Sequence, residues 1–139
     1  MTLRDWQVEH PPPDGAFTQS LAGVAERVVA GQPFLPAVRE LLDEFGLLGT
    51  DEQRGRALSE RPARTGDVRQ DAYLGALAEH LATAVGIERP GWACDPDRFL
   101  DRFWFVSPIE GFRALTIAEA PAAFRRRGVF VSRGSIDRC

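Results

Sequence analysis

A chain of 139 residues, 44% apolar and 27% charged, has the size and composition of one globular domain that buries its own core. That balance excludes a disordered chain, and no apolar run approaches the roughly 18–20 residues that span a bilayer. All seventeen basic residues are arginine, and residues 1–88 carry 14 acids against 8 arginines while residues 89–139 carry 6 against 9. The net charge of −3 therefore divides into −6 and +3. So small a basic surplus falls short of the dense positive field of nucleic-acid binders and marks an oriented partner surface instead. The opening MTLRDWQVEHPPPDG puts charges and prolines where an export signal carries an apolar stretch, so the expected location is the cytoplasm. There, Cys94 and Cys139 read as free thiols.

Residues 1–15, with Pro11-Pro12-Pro13 and then Asp14-Gly15, form an extended proline-rich arm. Phe17, Leu21, Val24 and Val28 then fall at helical spacing up to Gly31. A second amphipathic helix follows Pro33 through Val38, Leu41, Leu42 and Phe45, stopping at Gly46. Thr50 and Gln53 make a capping box for a short polar helix over about 51–60. A loop at 61–66 precedes the longest helix, capped by Asp67, lined by Val68, Tyr73, Leu74, Leu77, Leu81 and Val85, and closed by Gly86. Asp95-Pro96 reads as the start of a short helix holding Phe99, Leu100 and Phe103. Ser107-Pro108-Ile109-Glu110 starts a helix to about Ala120, and another runs from Pro121 to Arg127, closed by Gly128. Val129-Phe130-Val131 reads as a strand too short and too isolated to build a sheet alone. The expected architecture is mostly α: one compact helical domain over 16–139 with at most a short C-terminal strand or hairpin.

No catalytic motif stands in the chain: no CxxC, HExxH, GxSxG, Walker loop or GxGxxG after a strand. No cofactor or metal is therefore expected. Asp95, Asp97 and Asp101 have calcium-loop spacing but lack the glycine and the closing glutamate, so capping is the better account of Asp95. His80, in the long helix, has no identified proton partner and reads as a partly buried structural imidazole. Phe99, Phe103, Trp104 and Phe105 crowd into seven residues. Two roles are open to them: a core cluster, or a contact patch in which Trp104 or Phe105 sits beside arginines. Arg125, Arg126 and Arg127 complement a helix dipole, and three adjacent residues face three directions, so they form no flat phosphate-binding stripe. Together Trp104, Phe105, Arg125, Arg126 and Arg127 are the candidate partner-binding residues.

Several of these stretches also resemble a group of actinobacterial proteins: Ala76 to Ala82, Pro90-Gly91-Trp92, Phe99 to Phe105, and Ala120 to Phe130, with a weaker block at Val38 to Phe45. Some of that group look like helix-turn-helix regulators, others like antitoxin partners of nucleotidyltransferase toxins of the abortive-infection type. The resemblance implies binding and control. The expected function is thus a non-enzymatic, antitoxin-like module that occludes a nucleotidyltransferase toxin. The alternative is a DNA-binding regulator or co-regulator, although no recognition-helix pair stands out in this chain.

Overall fold

In the computed structural model, the described residues are 19–106, 119–132 and 135–136. The arm at 1–15, Phe17, the capping box at 107–110 and Cys139 lie outside them.

Ser20, with extended backbone, accepts the Gly23 N–H through its hydroxyl at 3.0 Å and so starts α1 (Leu21–Val29). In α2 (Phe34–Phe45) the buried residues Phe34, Ala37, Val38, Leu41, Leu42 and Phe45 recur every three or four positions, a single apolar stripe laid against α1. Thr50 caps α3 (Asp51–Ser59) through the Gln53 N–H. The return half of the capping box is displaced by one residue, because Gln53 Oε1 accepts from Gly49 N–H at 3.1 Å. The central helix α4 (Val68–Val85) departs from a one-faced pattern: every residue from Asp71 to Glu79 is buried. It is enclosed on all sides, and the core of α1, α2 and α3 continues past it to Trp92, Phe124, Val129 and Ile136.

After α4 the chain follows α4 in two short 3-10 turns, Gly91–Cys94 and Pro96–Arg98. The helix expected from Asp95 to Phe103 ends after three residues. Asp95 makes no capping bond and pairs with Arg61 at 2.8 Å, while Phe99 is already extended. That extension delivers β1 (Trp104–Phe105) to β2 (Val129–Phe130), which it pairs in parallel, Trp104 opposite Val129 and Phe105 opposite Phe130. The strand expected to be isolated therefore has a partner, supplied by the aromatic segment. Between them α5 (Ala122–Arg126) is a five-residue helix, and Gly128 turns out of it at φ +77°, a conformation that side chains disfavour. Five α-helices and this two-stranded sheet make a mostly α fold among the described residues. No described helix is long and apolar enough to cross a membrane.

Candidate functional site

The aromatic segment divides between core and surface. Trp104 leans inward, its ring 6.2 Å from Tyr73, which also meets Phe34 and Phe124 edge to face. Phe105 is half-buried and stacks on Phe130 at 5.1 Å. Phe103 meets the same Phe130 ring edge-on at 5.2 Å yet remains 72% exposed. Phe99 is also exposed and lies under the Arg127 guanidinium at 4.7 Å. The two exposed rings are thus Phe99 and Phe103. Two-residue strands give no long alternating pattern from which their orientation could be read.

The arginine run divides as well. Arg125 and Arg126 are exposed on the last turn of α5, where Arg125 donates to Ala120 O at 3.1 Å. Arg127 is 1% exposed, which removes it from the candidate contact residues. Its guanidinium donates to Glu79 Oε2, Ala123 O and Ala93 O at 2.7–2.8 Å, so both Nη atoms are engaged inside the chain, while the buried Nε has no hydrogen-bond partner among the described residues.

These contacts belong to a buried ionic seam. Asp71, Gly75 and Glu79 stand four residues apart on α4 and so share one stripe. Arg98 and Arg127 lie across it. Arg98 reaches Pro62 O at 2.8 Å and Asp71 O at 3.3 Å, with its guanidinium over the Trp92 ring. Asp71 in turn accepts both N–H and hydroxyl from Thr65, tying the 61–66 loop to α4. Gly75 permits the close approach, because a Cβ there would meet Arg98 Cβ at 3.0 Å and Ala93 O at 3.3 Å. At the outer end, Glu79 also receives Arg89 at 2.5 Å and Arg126.

Burial pushes the Glu79 carboxyl up, but the hydrogen bonds from Arg127 and Arg89 and the nearby arginine charges outweigh it and hold the pKa below the usual range. A carboxylate with three guanidinium partners is a fixed counter-charge, not a proton acceptor. Burial alone pushes Tyr73 up to about 12, which keeps its phenol neutral. His80 is half-buried against Phe124. Asp97 pairs with Arg64 at 2.6 Å, as Asp95 does with Arg61, and no group of metal-ligating side chains occurs among the described residues. An open depression of ≈470 Å³ lies between α3 and the 88–91 loop, bordered by Arg56, Ser59 and Arg89.

Sequence reasoning missed Glu79, Arg89 and Arg98. One signal was present: a glutamate well inside the longest helix, between Ala78 and His80 with Leu77 and Leu81 on either side, needs a cation if that helix is buried. No protein-family model, curated protein or solved structure matches this chain.

Proposed function

We propose that this chain is a non-enzymatic, cytoplasmic protein-binding module, antitoxin-like, that masks a nucleotidyltransferase-type toxin by occlusion. The observation that carries the binding reading is Phe103, a large ring that meets Phe130 edge-on and is still 72% exposed. A solvent-facing aromatic backed by a second ring is a suitable interface anchor. Phe103 also touches the space beside Gly128, and Phe99 lies under Arg127, so both exposed rings sit at the turn that closes α5, the short helix that carries Arg125 and Arg126. Aromatic anchors beside guanidinium groups are the chemistry enriched at protein interfaces. The nucleotidyltransferase identity of the partner rests on the resemblance alone.

The alternative, a DNA-binding regulator, needs an exposed arginine-rich helix that lies in a groove. The five residues of α5 extend only about 7.5 Å, which gives that reading little support. The test is co-purification of the full chain with the product of the neighbouring gene, then growth rescue, with duplex DNA run beside it. Phe103→Ala, with Arg125→Ala and Arg126→Ala, is expected to leave the melting temperature nearly unchanged and to abolish capture and rescue. Undiminished capture by that folded variant would remove this patch from the mechanism. Loss confined to DNA would establish the regulator reading.

A further inference from the structure

Arg89 and Arg126 turn most of their hydrogen-bonding capacity outward. Each places one nitrogen on Glu79 Oε1, Arg89 through Nη1 at 2.5 Å and Arg126 through Nη2. Among the described residues neither makes another hydrogen bond or ion pair, whereas a guanidinium carries five N–H donors in a planar fork. Their side chains are 46% and 58% exposed. Sharing one oxygen fixes the two forks side by side at the surface. Three arginine charges converge on the single Glu79 carboxylate, and since Arg127 is buried, the surplus is expressed at Arg89 and Arg126.

We propose that Arg89 and Arg126, yoked by Glu79, form a receptor for a side-chain carboxylate on an acidic segment of the protein partner. The inference rests on the protein-binding reading and adds Arg89, which lies outside the aromatic and arginine segments. A carboxylate presents two oxygens to the paired N–H groups of one fork, and a second fork beside the first closes on the same group. Holding two long side chains in place beforehand lowers the ordering cost of binding. A nucleic-acid backbone fits less well, because two cations make no track along it.

The experiment measures a fluorescently labelled oligoglutamate peptide on the full chain by anisotropy at low salt, with inorganic phosphate and short duplex DNA as competitors. Arg89→Gln or Arg126→Gln is expected to weaken the peptide about five- to tenfold, and the pair to abolish binding, with Arg64→Gln unchanged. Arg89→Lys with Arg126→Lys keeps both charges on Glu79, and hence the fold, but is expected to lose most of the affinity, since an ammonium offers no fork. Equal binding by parent and arginine variants would overturn the proposal, as would DNA held through these arginines in preference to the peptide. A toxin that co-purifies equally well with the doubly substituted chain would also overturn it and leave the protein-binding reading intact. Arginine-dependent peptide binding in a chain that captures no toxin would uphold the site and reject the toxin.

Discussion

Glu79 and Arg127 are buried opposite charges, and neither has water to fall back on. Exposed ion pairs contribute little, so the Arg89 and Arg126 arms matter less to stability than the inner one. Removing the charge from Glu79 leaves Arg127 uncompensated in the interior. Glu79→Gln is therefore expected to cost about 3 kcal/mol in denaturant unfolding, toward the low end for a broken buried pair because the amide oxygen still accepts. The same residue sets a pH dependence. Its folded pKa lies below the ordinary 4.5, so its contribution is fully present above that value. It is lost as pH falls through the lower folded value, where the unfolded state already holds the proton. Denaturant midpoints measured on acidification should fall more steeply for the parent than for Glu79→Gln. Parallel acid limbs would show that Glu79 titrates alike in both states.

At the scale of elements, α4 accepts its neighbours because of what it lacks at residue 75. Alanine there would improve helix propensity by about 1 kcal/mol. Its Cβ, however, would meet the Arg98 Cβ at 3.0 Å and the Ala93 carbonyl at 3.3 Å, and neither is the free end of a flexible chain. Overpacking should win, so Gly75→Ala is expected to destabilise by about 1–3 kcal/mol in chemical unfolding. A gain in stability would mean that the 3-10 turns shift aside without cost. The first four helices were legible because local rules determine them: the stripe from Phe34 to Phe45, the caps at Thr50 and Asp67, the left-handed stop at Gly86. Residues 95–105 were misread for the opposite reason. Asp95-Pro96 is a sound helix start, but its continuation is overridden by the pairing of Trp104 and Phe105 with residues more than twenty positions away. Arg127 illustrates the same limit. Its place in a basic run said nothing of Glu79, to which it is joined across 48 positions.

Across the whole molecule, the described residues that follow α4 are held less by regular structure than by side-chain hydrogen bonds. The sheet has two residues per strand and the turns have three or four. Among the described residues, ties to the helical half include Trp92 Nε1–H to Leu58 O at 2.9 Å, Arg98 to Pro62 and Asp71, and Arg127 to Glu79. Such bonds are expected to add to the cooperativity between halves beyond the apolar core that spans both. In the parent, helix content by far-ultraviolet circular dichroism and tryptophan fluorescence are expected to change together on unfolding. Arg98→Met keeps most of the side-chain volume and leaves Asp71 its bonds from Thr65, while removing the ties to Pro62 and Asp71 and the cation over Trp92. Of the three tryptophans, Trp92 and Trp104 report on the second half, whereas the described helices lie mainly in the first. The variant's fluorescence transition should therefore precede its helical transition, with α1 to α4 persisting after the turns and sheet have detached. A lowered midpoint at which both signals still coincide would locate the coupling in the apolar core and not in the arginine ties.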